Sequence, residues 1–288
     1  MSAAPSPADP VRHHVPGDPP TRWPADLGRR TLVMGVLNVT PDSFSDGGLF
    51  AEFDAALRQA GTLVDEGADI LDIGGESTRP GHAPLPAEEE QARVLPAIRA
   101  LAPRLPIPIS IDTYKASTAR LALAAGARIV NDVWGLQRDP DIAHVAAEHG
   151  APVVVMHNRE RADPSLDIMD EMRRFFERSL FIARAAGIPD RHIALDPGIG
   201  FGKSPEQHLE AIRRLPEIRA LGFPVLVGIS RKSILGRIAE RDTPPRDRLH
   251  ASVAAHVLAA SLGADIVRVH DVAPHREALR VVDTVMRT

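Results

Sequence analysis

The chain has 288 residues, of which 44% are hydrophobic and 25% are charged, and its net charge at pH 7 is -4. These proportions are typical of folded globular proteins and exclude a wholly disordered chain. The acidic balance gives no general attraction to nucleic acid or to an anionic membrane, and the absence of cysteine excludes disulfides, thiolate metal sites and a cysteine nucleophile.

The first 28 residues are rich in proline and polar residues and show no hydrophobic periodicity, which predicts a disordered leader. The leader lacks the apolar stretch of a signal peptide, and no later window offers 18 uninterrupted apolar residues. We therefore expect a cytoplasmic protein with a leader over residues 1–28 that catalysis does not need. The folded domain is expected to cover residues 29–288.

Eight short apolar runs follow, separated by longer amphipathic stretches. Their continuous apolar character is typical of parallel strands that are buried on both faces. The runs cover residues 31–37, 70–73, 107–111, 129–130, 152–156, 193–195, 224–227 and 266–269, and helical spacing is clear over 53–66 and 207–221. Eight strand–helix units without a linker between them predict a single (β/α)8 TIM barrel, an α/β fold, rather than two doubly wound domains.

A polar or charged residue ends every predicted strand. The strand-end residues are Asn38, Asp72 with the segment GGESTRPG (74–81), Asp112, Asn131 with Asp132, His157, Asp196, the segment 228–233, and Arg268 with His270 and Asp271. Any one of them has a structural alternative, such as capping a helix or pairing with an arginine. Because TIM barrels carry their chemistry at the C-terminal ends of the strands, the complete set favours an active site there.

One group among these residues is suited to an anion. Its donors are Arg79, Lys232, Ser233, Arg268 and His270. The segment GISRKS (228–233) also runs from a strand toward a predicted helix, whose free amide groups favour a phosphate oxygen. A phosphorylated substrate is the natural interpretation.

A second group is suited to a planar heterocycle. Asp112, Asn131 and Asp196 supply acceptors and one amide, the complement of a ring that presents several N–H groups along one edge. An amino-oxo-pyrimidine ring has such an edge. If Arg268 lies near this ring, its guanidinium plane can stack on the ring face.

Two other patterns are weaker. The stretch DPGIGFGKS (196–204) is close to a P-loop, but Pro197 stands where the first glycine is needed, which favours a glycine-rich loop over a nucleoside triphosphate site. None of the 12 histidines falls in a zinc-ligand spacing. We expect His208, His250 and His256 to be surface or packing residues.

Seven motifs closely resemble those of the dihydropteroate synthases of the folate pathway. They are NVTPDSFSDGG (38–48), GADILDIGGESTRPG (67–81), SIDTYKA (110–116), NDV (131–133), DPGIGFGK (196–203), GISRKS (228–233) and RVHDV (268–272). The motifs are collinear from about Thr31 to the C-terminus. The resemblance implies a TIM barrel, usually a homodimer, that joins 7,8-dihydropterin-6-ylmethyl diphosphate to 4-aminobenzoate and releases diphosphate.

The resemblance also implies the role of each site residue. The pterin would be held by Asp112, Asn131, Asp196 and Lys232, with Arg268 over its face and Met156 and Gly228 lining the pocket. Asn38 would meet a Mg²⁺ ion on the diphosphate, and Thr78, Arg79, Arg268 and His270 would contact the diphosphate itself. Phe201, Lys203, Ser233 and Pro80 would surround aminobenzoate, closed by the loops 39–49, which carries Phe44, and 75–84.

The mechanism that the resemblance implies is dissociative, because the C–O bond breaks before the arylamine attacks. Mg²⁺ and the cationic side chains would stabilise the leaving diphosphate, while Asp112 and Asp196 would offset the positive charge on the pterin. Asp112, Asp196, Lys232 and Arg268 are therefore the expected catalytic residues. An arylamine is neutral at pH 7, so no general base is assigned.

Two departures from the family pattern lie at the pocket rim: the segment MHNRE (156–160), and Trp134 where a small residue is usual. Two alternative functions stay open. A methyltetrahydrofolate–corrinoid methyltransferase shares the pterin barrel but has no need of a diphosphate group, so the combination of Asn38, Arg79, Lys232 and His270 favours the synthase. A pterin-binding paralogue without catalysis is the other alternative.

Overall fold

The computed structural model describes residues 23–39, 48–76, 84–240 and 243–287. Within these ranges eight parallel strands form one sheet in the order β6-β5-β4-β3-β2-β1-β8-β7. A bridge between Leu195 and Val225 brings β6 beside β7, so that the ring of strands closes. The predicted TIM barrel is confirmed. The strands are β1 (Leu32–Asn38), β2 (Ile70–Gly74), β3 (Ile109–Asp112), β4 (Ile129–Asp132), β5 (Val153–Met156), β6 (Ile193–Asp196), β7 (Leu226–Val227) and β8 (Ile266–Val269).

Helices follow the strands around the outside of the barrel. They are α1 (Gly48–Asp65), α2 (Ala87–Leu101), α3 (Ala116–Ala125), α4 (Ile142–Glu148), α5 (Ile168–Ala185), α6 (Pro205–Arg213), α7 (Leu215–Arg219), α8 (Ser233–Ile238), α9 (Leu249–Ser261) and α10 (Val272–Met286). The single helix expected over 207–221 is two helices. Arg214 leaves the helical conformation, with φ -99° and ψ 21°, and Pro216 has no amide hydrogen to continue α6. Among the described helices, none is long and apolar enough to cross a membrane.

The barrel interior has two layers that differ in polarity. The lower layer is one buried apolar cluster made of Leu32, Met34, Ile70, Ile129, Val154, Ala194, Leu226 and Ile266. Alternate residues of a strand face the same side, so the residues two positions further along point into the same interior. These upper residues are Asp72, Asn131, Met156, Asp196, Gly228 and Arg268. They form a mostly polar layer at the C-terminal ends of the strands.

Trp23 closes the N-terminal end of the barrel. Its side chain is only 4% exposed and belongs to the lower apolar cluster, with Leu27 packed beside it. The chain then reaches β1 through Arg30, which donates to both carboxylate oxygens of Asp69 at 2.9 and 2.7 Å. The folded chain therefore begins upstream of the expected boundary at residue 29, because one indole fills the barrel end. The rest of the expected leader, residues 1–22, lies outside the described residues.

Candidate active site

An arginine held between two aspartates lies at the centre of the polar layer. Arg268 donates from Nε to Asp72 Oδ2 and from Nη2 to Asp112 Oδ2, both at 2.6 Å. Asn131 Nδ2 also donates to Asp72 Oδ2, at 3.1 Å. Both aspartates are buried, whereas the Arg268 side chain is 21% exposed. The two carboxylates therefore fix the plane of the guanidinium group and leave one side of it facing the pocket.

Several acceptors beside this arginine lack a partner. Among the described side chains, Asp72 Oδ1, Ser110 Oγ and Asp112 Oδ1 are buried without a hydrogen bond. Asn131 pairs in register with Asp112 and uses its amide nitrogen on Asp72, so its carbonyl oxygen is left for another donor. Buried polar groups are rarely left unpaired in folded proteins. The site is therefore built to receive a ligand that presents hydrogen-bond donors.

Asp196 and Lys232 are two further charged side chains of the polar layer, near enough to affect each other's pKa. Asp196 Oδ1 accepts from the Gly198 amide at 2.7 Å. Burial raises the pKa of Asp196, and the nearby Lys232 ammonium opposes that rise. Burial lowers the pKa of Lys232 to about 8, while its Nζ donates to the Ile199 carbonyl and lies 4.5 Å from the centroid of the Phe201 ring. The pair offers one acceptor and one donor within a nearly dry pocket.

Met156 and Gly228, predicted to line the pterin pocket, lie beside Asp196 and Arg268 respectively. Met156 is buried and pairs in register with Asp196. A Cβ at Gly228 would lie 3.6 Å from the Arg268 Cβ and 3.9 Å from the Lys232 Nζ. The glycine therefore leaves open the space between the arginine and the lysine.

Lys203 lies under the loop that follows β6. Its Nζ donates to the carbonyl oxygens of Gly198 at 3.1 Å, Phe201 at 3.2 Å and His157 at 3.4 Å. Burial lowers the pKa of Lys203 to about 7. Its ammonium therefore ties the β5 and β6 loops together at the expected aminobenzoate pocket. Ser233, expected in the same pocket, begins α8 and is exposed.

His270 is a neutral donor rather than the cation that an anion site suggests. Ser230 Oγ accepts from the His270 amide at 3.2 Å and lies 2.9 Å from His270 Nδ1. The hydroxyl can donate its hydrogen to Nδ1, and in that tautomer the imidazole proton lies on Nε2. Burial and the neighbouring Arg268 and Arg231 lower the pKa of His270 to about 3. His270 therefore presents one N–H group to a ligand.

Asn38 ends β1 at the rim of the pocket and is exposed. Its strand partner Gly74 has no side chain, and a Cβ there would lie 3.8 Å from Asn38 Oδ1 and 3.6 Å from Asp112 Oδ2. An amide oxygen is a ligand that Mg²⁺ accepts, and Mg²⁺ usually takes its other ligands from water and substrate phosphates. No group of three His, Asp or Glu side chains in the described part of the chain forms a metal cage. The residues present fit a cation that is shared with a phosphorylated substrate.

Three of the expected site residues, Thr78, Arg79 and Pro80, lie outside the described residues, as does Phe44. The two stems of the 75–84 loop are held together by Glu76. Its Oε1 accepts from the Leu85 amide at 3.3 Å, and Lys115 forms an ion pair with its carboxylate. The stems therefore start and end at the rim of the polar layer.

The role of Asp72 was not predicted from the sequence, where it stands out only as a strand-end residue. The signal was available, because an aspartate at the inward position of a buried apolar strand needs a partner. Asp132 is different: its two oxygens accept from the Trp134 and Leu136 amides, each at 2.7 Å, so it shapes a turn. Trp134 faces outward at the rim, where the Arg138 guanidinium carbon lies 4.3 Å from the centroid of its ring.

Two of the histidines expected at the surface or in packing are buried, and each also holds a strand-end loop. His208 and His256 are buried. His208 Nδ1 accepts from the Gly200 amide at 3.2 Å, and His256 Nε2 accepts from the Ile229 amide at 3.1 Å. His250 is exposed, as expected. These hydrogen bonds could not be predicted from residue spacing. Each one joins a helix to a loop that comes earlier in the chain.

The sequence is similar to known proteins over most of its length. The family model described as pterin binding enzyme matches residues 34–270. A dihydropteroate synthase from Clostridium beijerinckii is 45% identical over 263 residues, which cover 91% of this chain and 97% of the relative.

Two solved structures are also similar to this chain. A dihydropteroate synthase from Clostridium difficile, crystallised in the presence of pteroic acid, has a TM-score of 0.88 and 49% identity, covering 91% of this chain and 99% of its own. The Xanthomonas albilineans dihydropteroate synthase with 4-aminobenzoic acid has a TM-score of 0.86 and 46% identity, covering 90% of this chain and 94% of its own. The similarity therefore spans the whole barrel and the strand ends that form the site.

Proposed function

The chain belongs to the pterin binding enzymes, and we propose that it joins 7,8-dihydropterin-6-ylmethyl diphosphate to 4-aminobenzoate, giving 7,8-dihydropteroate and diphosphate. This is the activity of dihydropteroate synthase, a transferase of folate biosynthesis. The observation that carries the proposal is the set of buried, unpartnered acceptors around the Asp72–Arg268–Asp112 centre. A pterin ring has the N–H edge that such a set requires.

The pterin would lie across the polar layer, with its N–H groups facing Asp112, Asn131 and Asp196. Lys232 is placed to donate to an acceptor of the ring, since its Nζ already reaches the Ile199 carbonyl beside the pocket. The guanidinium plane of Arg268 is held in place by its two carboxylate partners, which suits a stacked aromatic ring. Removing any of the carboxylates would leave ring donors unpaired in a dry pocket.

The diphosphate would extend from the ring toward the ends of β1 and β8. His270 offers an N–H group there. Asn38 would offer its amide oxygen to a Mg²⁺ ion, which would supply positive charge opposite the leaving diphosphate. Thr78 and Arg79, on the loop that Glu76 anchors, are proposed as further contacts of the diphosphate. Phe201, Lys203, Ser233 and Pro80 are proposed to surround the aminobenzoate.

The reaction begins when the bond between the pterin methylene carbon and the diphosphate oxygen breaks, and its electron pair leaves with diphosphate. The positive charge left on the pterin methylene is offset by the carboxylates of Asp112 and Asp196, which lie in low-dielectric surroundings. The amine nitrogen of aminobenzoate then forms a bond to the methylene carbon and releases one proton. Catalysis is therefore mainly electrostatic, and no side chain has to act as a strong base.

A homodimer is proposed on the outer face of the last two helices. Val281 and Val285, one turn apart on α10, are 63% and 72% exposed. Met286 at the end of α10 and Leu258 of α9 are also exposed. A cluster of exposed apolar side chains on adjacent helices is typical of a protein interface. Light scattering should give twice the monomer mass, and Val285→Glu should lower it; a monomeric unmodified protein would contradict the proposal.

The deciding experiment measures diphosphate release from dihydropterin diphosphate, with and without 4-aminobenzoate, together with formation of dihydropteroate. We expect release that depends on the arylamine and matches product formation one to one. A protein that binds the pterin without releasing diphosphate would be a non-catalytic paralogue. Binding of a methylated folate in place of the diphosphate substrate would favour the methyltransferase.

A further inference from the structure

Two buried histidines lie behind the loops that follow β7 and β8. His256 is in α9, His275 is in α10, and both are fully buried. Their rings meet edge to face with centroids 4.9 Å apart, and His256 Nδ1 lies 3.0 Å from His275 Nε2. The hydrogen bonds of the two rings link them to each other and to the backbone of Ile229 and Asp271.

The partners of the two rings determine where each proton lies. The Ile229 amide donates to His256 Nε2 at 3.1 Å, so the neutral His256 ring carries its proton on Nδ1 and donates to His275 Nε2. His275 must then carry its proton on Nδ1, which lies 2.6 Å from the Asp271 carbonyl oxygen. Burial lowers the pKa of both imidazoles, which keeps them neutral. Hydrogen bonds thus run in one direction from the β7 loop to the β8 loop.

The β7 loop is held by α9 at a second point. Ser252, one turn before His256, accepts from the Arg231 amide at 3.0 Å. Arg231 has φ 60°, a left-handed conformation that residues other than glycine rarely adopt without support. The Arg231 guanidinium also pairs with the Asp271 carboxylate at 3.0 and 2.5 Å. The two loops are therefore joined by this ion pair, by the contact between Ser230 and His270, and through the buried histidines.

These contacts lie next to the residues proposed to bind substrate. The Lys232 amide donates to the Ile229 carbonyl at 3.1 Å. Ile229, whose amide His256 binds, therefore also helps to position Lys232. Asp271, whose carbonyl His275 holds, directly follows His270. A shift of either loop changes the distance between Lys232 and His270.

We propose that His256 and His275 are positioning residues, which hold the β7 and β8 loops at the spacing that His270 needs to bind the diphosphate of the substrate. This inference rests on the proposed function and deepens it. The Asp271 end of the chain matters most for the diphosphate, because His270 is its neighbour. The pterin carboxylates Asp112 and Asp196 end strands β3 and β6, whereas the hydrogen bonds of the two histidines go to the β7 and β8 loops. Lys232, the pterin donor of the β7 loop, lies at the His256 end.

The test compares the dissociation constants of dihydropterin diphosphate and of a phosphate-free pterin, measured by calorimetry with Mg²⁺ present. His275→Phe keeps a ring in the cavity and removes both hydrogen bonds. We expect about tenfold weaker binding of the diphosphate ligand, which is the effect of losing the hydrogen bond from His270 to the diphosphate. The affinity for phosphate-free pterin should change less than about twofold. Equal weakening of both ligands, or no weakening of either, would overturn the inference.

Conservative variants separate positioning from packing. His275→Asn places an amide donor near the Nδ1 position and should restore the bond to Asp271, and with it most of the diphosphate affinity. His275→Gln retains an acceptor toward His256 but loses that donor, so it should behave like His275→Phe. If both amides behaved alike, the bond to Asp271 would not matter and the inference would be wrong.

The exposed His250, on the same helix as His256, provides the matched control, since His250→Phe should leave both dissociation constants unchanged. The unmodified protein distinguishes the two levels of the argument. If it binds the diphosphate ligand no better than phosphate-free pterin, the proposed function is wrong and the inference fails with it. If it discriminates and His275→Phe discriminates equally well, only the inference is wrong.

Discussion

Gly198 lies directly against the backbone of His157. A Cβ at Gly198 would stand 1.9 Å from the His157 carbonyl oxygen, and the glycine has φ +65°. The same carbonyl accepts a hydrogen bond from Lys203, and the Gly198 amide donates to Asp196. One close approach therefore positions the β6 loop relative to β5 and sets the orientation of the Asp196 carboxylate.

Gly198→Ala should destabilise the protein by about 2 to 4 kcal/mol, because the new side chain meets fixed backbone and the left-handed conformation is strained. It should also weaken pterin binding. Urea unfolding and pterin calorimetry measure the two effects. Gly222→Ala is the control, since Gly222 has φ +91° but open space around it. Equal losses of stability in the two variants would show that the contact with His157 has no effect.

Asp196→Asn should weaken the binding of every pterin ligand by about 10- to 100-fold, because a charge-assisted hydrogen bond is lost in a buried site. The effect should be the same with and without diphosphate on the ligand. Asp190→Asn, at an exposed ion pair with Arg184, serves as the control and should change nothing. If Asp196→Asn bound phosphate-free pterin as tightly as the unmodified protein, Asp196 would have no part in pterin recognition.

Chelation of Mg²⁺ should abolish turnover and weaken binding of dihydropterin diphosphate, while phosphate-free pterin binds with unchanged affinity. Asn38→Ala should lower the affinity for dihydropterin diphosphate by about tenfold when Mg²⁺ is limiting, since the metal loses one oxygen ligand. Calorimetric titrations with each ligand, with and without chelator, measure both effects. Full activity in the presence of chelator would remove the metal from the proposal.

Binding of phosphate-free pterin should strengthen as the pH rises through about 7. Burial raises the pKa of Asp112 to about 7, with the Arg268 guanidinium opposing the rise. Below that pH the carboxyl is protonated and accepts ring N–H groups poorly; above it the carboxylate accepts them well. Calorimetry between pH 5.5 and 8.5 measures the dependence.

The same group affects stability with the opposite sign. A carboxyl whose pKa is higher in the folded than in the unfolded state stabilises the fold when protonated. That contribution is complete below about pH 4, the unfolded value, and is lost as the pH rises through about 7. Asp112→Asn should flatten both curves, and an unchanged pH dependence of binding in this variant would assign it to another group.

Trp23→Ala should cost about 3 to 5 kcal/mol of stability, because it opens a cavity at the closed end of the barrel. Deleting residues 1–20 should leave both stability and turnover unchanged, whereas deletion through residue 28 should not. Thermal unfolding of the three proteins measures the difference. A stable, active protein without Trp23 would show that the lower apolar cluster closes by itself.

Much of the fold could be predicted because its signals are local. The eight apolar runs gave every strand to within a few residues, and the inward position of Asp112, Asn131 and Asp196 follows from the alternation of a strand. Trp23 was missed because one apolar residue in a proline-rich stretch has no period. The break at Arg214 was missed because the apolar spacing continues across it.

The partners within the site could not be predicted. Asp72 and Arg268 are 196 residues apart in the chain and meet only because β1, between β2 and β8, brings the two strands onto one ring. His256 and His275 likewise pair between two helices whose rotation the sequence does not fix. Residue types and strand ends thus indicated which groups form the site, but pairing between them depends on the register of the closed barrel.

The apolar lower layer also has a consequence for side reactions. In the described part of the chain, Trp23 and the inward aliphatic side chains fill the N-terminal end of the barrel, and the carboxylates lie on its C-terminal side. A pterin cation formed above this apolar layer can react at its methylene carbon with the arylamine or with water. Both nucleophiles approach from the C-terminal end of the barrel. The ratio of condensation to wasteful hydrolysis is therefore decided at the mouth of the barrel, where the loops after β1 and β2 begin.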